Sequence, residues 1–259
     1  MRQGVGLDFI PVERATANGI PVGNTPAVNA NAVAEYVFAA LLAHARQLAA
    51  FDASVRSGDW AARTQAGART LELRGRTLGL LGFGAIGQRI AAIASQGFGM
   101  SVAVCTGTPS KVPPGMAALS IEGLFAASDF VVIACPLTPQ TRGMVNAEVL
   151  AHARPGAVLV NVGRGPVVRE DDLATALATG PLAGAVLDVF ETQPLPASSA
   201  LRAHPRVLLT PHLAGITQEA ERAMGMLAVD TLAAVLLRGE RPPNIVNPEV
   251  FAVAMPSGD

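Results

Sequence analysis

Short apolar runs alternate with helical patterns along most of the chain. Each run is followed by a segment in which apolar residues recur every three or four positions. This alternation predicts strand–helix–strand units, which form a parallel sheet with helices on both faces. The predicted strands are residues 77–81, 101–105, 130–134, 157–161, 184–188 and 207–209, and the helices between the later strands are residues 121–127, 146–153 and 170–178.

Helical periodicity also marks the chain on either side of this region. From about Asn31 to Arg56 the apolar residues fall near one face, and neither glycine nor proline interrupts the chain before Gly58. We therefore expect one long helix over residues 31–56, followed by a loop over residues 58–76. A short helix over residues 12–17, a final helix over residues 217–238 and an extended tail over residues 242–248 complete the prediction.

Three glycines follow the first predicted strand at the spacing of a dinucleotide-binding turn. Gly82 would allow the tight turn, Gly84 would let the backbone approach a pyrophosphate, and Gly87 would let helix and strand pack closely. The phosphates would then face free N–H groups at the positive end of the next helix, which begins near Ala85 and Ile86. The alternative is a glycine turn that binds nothing.

Polar residues end the later strands of the predicted sheet. Arg164, Asp188 and His212 each follow a different strand, and ligands of open parallel sheets bind at the carboxyl ends of the strands. An arginine can bind a carboxylate with two hydrogen bonds, and a histidine can move a proton near neutral pH. We therefore expect the three side chains to converge on one crevice. Taken singly, a solvated arginine, a helix-capping aspartate and a packed histidine are the alternatives.

Composition narrows the class of protein. Of the 259 residues, 50% are hydrophobic and 15% are charged, so the chain can bury a large core. The net charge is −1 without a basic stripe, which argues against nucleic acid as a partner. With only two cysteines and no run of apolar residues long enough to cross a bilayer, the sequence predicts a cytoplasmic protein that binds neither membrane nor metal.

Several of these segments resemble the D-isomer-specific 2-hydroxyacid dehydrogenases, and the resemblance covers nearly the whole chain. It implies a Rossmann-type doubly wound parallel sheet with a flavodoxin-like substrate domain. The activity it implies is hydride transfer between a nicotinamide ring and C2 of a 2-oxo acid. The resemblance rests on the glycine turn and on residues 4–8, 29–35, 135–141, 161–165, 187–190 and 211–215.

The resemblance also implies roles for single residues. Arg164 would bind the substrate carboxylate and polarise the ketone, and His212 would be the acid and base. The backbone N–H groups of Val5 and Gly6 would hold the carboxylate from the other domain, and Asp188 would orient the cofactor carboxamide. The full set of cofactor contacts implied is Gly82, Gly84, Ala85, Ile86, Gly87, Thr106, Cys135, Pro136, Thr141, Val162, Gly163, Arg164, Asp188 and His212.

One departure from the family concerns the carboxylate that pairs with the histidine. The family has a glutamate five residues after the aspartate, and this chain has Gln193 there. Gln193 can bond to the imidazole but carries no charge, so we expect His212 to titrate closer to an unperturbed pKa of ~6.5. Ketone reduction should then decline at a lower pH than in the family. Glu191 could substitute if its loop shifted.

A second departure concerns the cofactor ribose. NAD-specific turns carry an acidic residue about twenty positions past the glycines, and this chain has Thr106 at that place. No Asp or Glu occurs between Glu72 and Glu122, whereas Lys111, the only lysine, lies close by. The sequence therefore favours NADP over NAD. An ordinary surface loop remains the alternative, because no arginine follows Thr106.

A third departure concerns the beginning of the chain. Family members carry a further stretch before residues 4–8, so we expect a fragment whose substrate domain is incomplete. The resemblance divides the chain into part of a substrate domain (residues 1–30), a dinucleotide-binding domain with the long interdomain helix (residues 31–216), and a C-terminal helix and tail that return to the substrate domain (residues 217–259).

The function implied is reduction of a small 2-oxo acid, since the chain loosely resembles the glyoxylate/hydroxypyruvate reductase branch. Phosphoglycerate or phosphite dehydrogenase activity is an alternative within the family. A non-catalytic dinucleotide sensor is an alternative from another class, favoured by Gln193 and opposed by Arg164 and His212. Residues 31–56 and the loop that follows them resemble the family's dimer contact, so a homodimer is expected. A helix buried wholly within its own chain is the alternative.

Overall fold

Seven parallel strands form one sheet in the part of the chain that the computed structural model describes, residues 1–253. The spatial order is β3-β2-β1-β4-β5-β6-β7, which places β1 next to β4 at the point where the strand order reverses. This is the order of a doubly wound dinucleotide-binding sheet, extended by one strand. The strands are β1 (Thr77–Leu81), β2 (Ser101–Cys105), β3 (Ala117–Ala118), β4 (Phe130–Ile133), β5 (Ala157–Asn161), β6 (Leu182–Leu187) and β7 (Val207–Leu209).

Ten α-helices accompany the sheet within the described residues. Several begin at a side-chain cap: Ser120 accepts a hydrogen bond from Gly123 N, and Asn146 accepts one from Val149 N. They are α1 (Val12–Ala17), α2 (Ala30–Ala45), α3 (Leu48–Arg56), α4 (Ala66–Arg69), α5 (Ala85–Phe98), α6 (Ile121–Ala127), α7 (Ala147–Ala151), α8 (Glu170–Ala178), α9 (Gln218–Arg238) and α10 (Val250–Val253).

The chain divides into two compact units, Val33–Ala214 and Met1–Ala32 with the chain from Gly215 onward. In the first of these, strand side chains point alternately into two apolar clusters, one on each face of the sheet. Val158 and Val160 belong to one cluster, and Leu159 belongs to the other. The predicted parallel sheet with helices on both faces is confirmed.

The predicted single helix over residues 31–56 is wrong. The structure has α2 and α3 with a break at Gln47, whose φ of 50° lies in the left-handed region and cannot continue a right-handed helix. The predicted loop over residues 58–76 is also interrupted, by a 3₁₀ turn (Ala61–Gln65) and α4. Tertiary packing ends α2, because Leu71 N donates to the carbonyl of Ala45 at 2.9 Å.

The other unit is held together by buried asparagines. Asn244 donates to the carbonyl of Asn24 at 2.7 Å and to Thr231 of α9 at 2.8 Å. Asn247 accepts from Val22 N at 2.7 Å and donates to Thr16 of α1 at 2.9 Å. These bonds join the N-terminal segment to the chain after α9. Over the described residues, no helix combines the length and apolarity that crossing a membrane requires.

Candidate functional site

The turn after β1 has the backbone geometry of a phosphate-binding loop. Gly82 has a φ of 106°, and a Cβ there would lie 2.7 Å from Cys135 N. Its own N–H donates to the carbonyl of Cys105 at 2.8 Å. At Gly87, a Cβ would overlap the carbonyl oxygen of Gly82. Only glycine fits at both positions, which brings the start of α5 close to the end of β1.

Gly84 differs from Gly82 and Gly87, because the position that its Cβ would take is open. No heavy atom of the described residues falls within 4 Å of the place where its Cβ would be. Gly84 is the N-cap of α5, and within the described chain that helix has neither a side-chain cap nor an acidic residue in its first turn. The start of α5 is therefore left uncapped next to open space, so the residues fit a dinucleotide diphosphate.

The two cysteines flank Gly82. Burial is the main cause that raises the pKa of both thiols, and the pKa of Cys135 rises to about 11. At neutral pH both thiols are therefore protonated, so neither side chain is a nucleophile. After Cys135, the loop is closed by Thr141, whose hydroxyl donates to the carbonyl of Pro136 at 2.8 Å. This loop follows β4 beside the glycine turn.

The segment after β2 has no acidic side chain at Thr106. The hydroxyl of Thr106 accepts a hydrogen bond from Thr108 N at 3.3 Å, which fixes a short turn. A 3₁₀ turn (Pro109–Lys111) follows, and its lysine is exposed. Hydroxyls and one cation are therefore the polar groups that this segment offers at the edge of the sheet.

Arg164 lies in a loop fixed on both sides. Asn161, at the end of β5, accepts from Gly163 N at 3.1 Å and donates to the carbonyl of Arg164 at 3.1 Å. A Cβ at Gly165 would overlap the backbone of Phe190, so this loop packs directly on the segment after β6. The guanidinium of Arg164 donates to the carbonyl of Gly163 at 2.8 Å.

His212 follows β7 and pairs with Gln193. Their Nδ1 and Oε1 atoms are 3.0 Å apart. A largely apolar cavity of about 680 Å³ lies beside this pair, and its walls include Phe190, Leu209 and Pro211. Arg164, Asp188 and His212 follow β5, β6 and β7, which are neighbours in the sheet, so their backbones reach the same edge.

Glu191 is engaged elsewhere. Its carboxylate accepts from Glu170 N at 3.0 Å, and the carboxylate of Glu170 accepts from Glu191 N at 2.5 Å. Glu191 therefore caps α8. The sequence left open whether Glu191 could replace the absent glutamate beside His212, and the structure shows that it does not. Burial is the main cause that raises the pKa of Glu170.

Asp188 is buried, with 1% of its surface exposed. Its carboxylate accepts from the Thr210 hydroxyl at 2.6 Å, from Leu213 N at 2.9 Å and from Ala214 N at 2.9 Å. Sequence reasoning considered Asp188 as a ligand contact or a helix cap, and it missed these bonds to the segment around His212. The one available signal was the threonine two positions before His212.

Val5 and Gly6 belong to the other unit. Their loop is fixed by Thr25, which accepts from Gly4 N at 2.7 Å, and by Asn24, which donates to the carbonyl of Val5 at 3.0 Å. Among the described residues, the N–H groups of Val5 and Gly6 have no hydrogen-bond acceptor. Over all of the described residues, no group of three His, Cys, Asp or Glu side chains is arranged to hold a metal ion.

Comparisons with known proteins show which family the chain is similar to. Residues 38–214 match the family described as "D-isomer specific 2-hydroxyacid dehydrogenase, NAD binding domain". A glyoxylate reductase of Pyrococcus furiosus is 43% identical, in an alignment that covers 97% of this chain and 76% of the relative. A D-3-phosphoglycerate dehydrogenase of Mycobacterium tuberculosis is 38% identical over 95% of this chain and 46% of the relative.

A solved structure is similar as well. An NADPH-dependent glyoxylate/hydroxypyruvate reductase of Sinorhizobium meliloti, in complex with NADP and malonate, is 39% identical and superposes with a TM-score of 0.85. The superposition covers 96% of this chain and 78% of that one.

Proposed function

The chain belongs to the D-isomer-specific 2-hydroxyacid dehydrogenase family, and we propose that it reduces small 2-oxo acids such as glyoxylate and hydroxypyruvate. The observation that carries the proposal is the order of the strands. β5, β6 and β7 bring the Arg164, Asp188 and His212 loops to the edge of a sheet whose first turn fits a diphosphate. Glyoxylate reductases are also among the relatives.

The glycine turn would hold the cofactor. The N–H groups of Ala85 and Ile86 lie at the uncapped start of α5, next to the open space beside Gly84, and would donate to the diphosphate. When bound, a reduced nicotinamide dinucleotide supplies the hydride. The remaining contacts proposed for it are Gly82, Gly87, Thr106, Cys135, Pro136, Thr141, Val162, Gly163, Arg164, Asp188 and His212.

Arg164 and His212 would do the chemistry on the substrate. The guanidinium of Arg164 would bind the carboxylate and polarise the ketone, because its fork of N–H groups matches two oxygens. As hydride reaches C2, Nε2 of the protonated His212 would give its proton to the ketone oxygen, which yields the 2-hydroxy acid. Gln193 would accept from Nδ1–H and hold the ring, leaving Nε2 toward the substrate.

The two units would divide this work. Residues 1–30 and 217–259 would belong to the substrate domain, and residues 31–216 would form the dinucleotide-binding domain. In the first, the N–H groups of Val5 and Gly6 would bind the substrate carboxylate. Their support from Asn24 and Thr25 favours this role, because a loop held in place loses little entropy on binding.

NADP is the cofactor that we favour over NAD. A carboxylate beside a 2′-phosphate would repel it, and Thr106 stands where NAD-specific turns have an acid. Lys111 adds a positive charge on the same segment. The test is the ratio of kcat/KM for NADPH and NADH with one 2-oxo acid.

A homodimer in the cytoplasm is the assembly that we propose. Leu48 and Val55 of α3 and the nearby Trp60 are 56%, 58% and 69% exposed, which is much apolar surface for one short stretch. A second copy of the chain could cover it. Both cysteines are free thiols, as in proteins of a reducing compartment.

Two other functions remain to be separated by experiment. The similarity to a phosphoglycerate dehydrogenase favours 3-phosphoglycerate as a second substrate class. Oxidation of phosphite is a further alternative within the same family. A non-catalytic dinucleotide sensor would bind cofactor without turnover. A panel of glyoxylate, hydroxypyruvate, 3-phosphoglycerate and phosphite, each with both cofactors, separates these readings.

A further inference from the structure

The carboxylate of Asp188 is bonded on both sides of His212. Thr210 precedes the histidine by two positions and donates to Oδ1 at 2.6 Å. Leu213 and Ala214 follow it, and their N–H groups donate to Oδ1 and Oδ2 at 2.9 Å each. One buried side chain therefore fixes the segment that carries the imidazole.

The backbone of His212 needs such support. Its φ of 58° lies in the left-handed region, which residues with a Cβ seldom adopt. Its N–H donates to the carbonyl of Thr210 at 3.1 Å, so the chain turns sharply there. A conformation of this kind persists only where surrounding bonds impose it, and the bonds to Asp188 do so.

The hydrogen-bond chain extends to α2. The hydroxyl oxygens of Tyr36 and Thr210 are 2.5 Å apart. Thr210 has one proton and gives it to the carboxylate, which can only accept, so Tyr36 must be the donor to Thr210. Burial, helped by the charge of Asp188, raises the pKa of Tyr36, which keeps this donor proton in place at neutral pH.

We propose that Tyr36, Thr210 and Asp188 form a hydrogen-bonded chain that positions the imidazole of His212, and that Tyr36 is a positioning residue of the reaction. This inference rests on the proposed function. It gives Asp188 a task beyond the contact with the cofactor carboxamide. Tyr36, the only tyrosine in the sequence, would thus influence proton transfer by His212 through its hydrogen bond to Thr210 and the bond from Thr210 to Asp188.

The test removes one hydroxyl at a time. Tyr36→Phe keeps the ring and loses the donor, and Thr210→Val keeps the shape and loses the link to Asp188. Thr210→Ser restores the hydroxyl. Thr175→Val is the matched control, because the Thr175 hydroxyl is on the exposed surface of α8 and, among the described residues, bonds only to the carbonyl of Asp171.

Kinetics and cofactor binding are the first two readouts. We expect Tyr36→Phe to lower kcat about fivefold, as the loss of one hydrogen bond would. Thr210→Val should lower kcat about 10²-fold, since a displaced acid loses its alignment. Thr210→Ser should keep most of the wild-type kcat. The dissociation constant of NADPH, measured by its fluorescence, should be unchanged in Tyr36→Phe.

The third readout needs neither substrate nor cofactor. The chain has four histidines, so ring signals in a carbon–proton NMR spectrum can be assigned with single His→Gln variants. In Tyr36→Phe and Thr210→Val the His212 signals should move, whereas the signals of the distant His152 and His204 stay. Thr175→Val should move none of these three.

The outcomes separate this inference from the proposed function. If wild type reduces none of the 2-oxo acids, the proposed function fails. The NMR signals still decide whether the hydrogen bonds of Tyr36, Thr210 and Asp188 position His212. If the His212 signals of Tyr36→Phe and Thr210→Val coincide with those of wild type, the inference is overturned. A weaker NADPH affinity in Tyr36→Phe with unchanged kcat overturns it as well.

Discussion

The amide oxygen Oε1 of Gln193 lies 3.0 Å from Nδ1 of His212. A neutral partner can orient the imidazole, but it cannot stabilise a positive charge on it as a carboxylate does. Glu191, the glutamate nearest to Gln193 in the sequence, accepts a hydrogen bond from Glu170 N instead. The structure therefore joins the histidine to an amide where the family has an acid.

Replacing this amide by an acid should move the pH profile. In Gln193→Glu, a negative charge beside the imidazole favours its protonated form and raises its pKa. Reduction needs the protonated ring, so kcat/KM for glyoxylate should persist to higher pH than in wild type. Glu191→Gln is the control and should leave the profile in place. Coincident profiles for wild type and Gln193→Glu would show that Gln193 does not act on His212.

Substitutions at two glycines of the turn should affect dinucleotide binding and protein stability separately. Gly84→Ala adds a methyl group to open space, so the thermal midpoint should stay while the dinucleotide affinity falls about tenfold or more. Gly82→Ala forces a Cβ against Cys135 N at a φ of 106°, so the free energy of unfolding should fall by about 2–4 kcal/mol. Gly67→Ala, on α4 with open space around it, is the control. Unchanged dinucleotide affinity in Gly84→Ala would place the diphosphate elsewhere.

The cysteines should be slow to react. Burial raises the pKa of Cys135 to about 11, so at pH 7.5 well under 1% of it is thiolate, the form that reacts. Alkylation by iodoacetamide should be far slower than in denaturant and should accelerate as the pH rises toward that pKa. β1 separates the two strands, which puts the cysteines roughly 10 Å apart and excludes a disulfide. Rapid alkylation of the folded protein at neutral pH would contradict this account.

Cofactor preference should depend on two side chains of one segment. Lys111→Ala removes the cation and should weaken NADPH binding about two- to fivefold, with NADH binding unchanged. Thr106→Asp puts a carboxylate at the ribose position and should shift the preference toward NADH. Binding titrations with both cofactors measure this. Equal losses for NADPH and NADH in Lys111→Ala would mean that no 2′-phosphate lies there.

The strands were predictable because their signal is local. β1, β2, β5 and β7 have the predicted bounds, since runs such as Val158–Val160 are apolar on both faces of a covered sheet. β3 was missed because two exposed alanines carry no such signal. The break at Gln47 was missed for a related reason, because no glycine or proline marks it and the chain turns there under tertiary packing.

The bonding within the site was less predictable than its residues. The sequence placed Arg164, Asp188 and His212 at strand ends, and the sheet order agrees. It gave no sign that Tyr36, 174 positions before Thr210, bonds to it, because such contacts depend on how α2 packs on the sheet. Nor did it decide between Gln193 and Glu191, since the choice depends on the cap of α8.

The most direct measurement is the oxidation of NADPH by the purified chain with glyoxylate, compared with His212→Gln. The account predicts turnover that depends on glyoxylate in wild type, a loss of about 10²–10⁴-fold in His212→Gln, and measurable NADPH binding in both proteins. Wild-type protein that binds NADPH and yet oxidises it no faster than His212→Gln with every 2-oxo acid of the panel would contradict it.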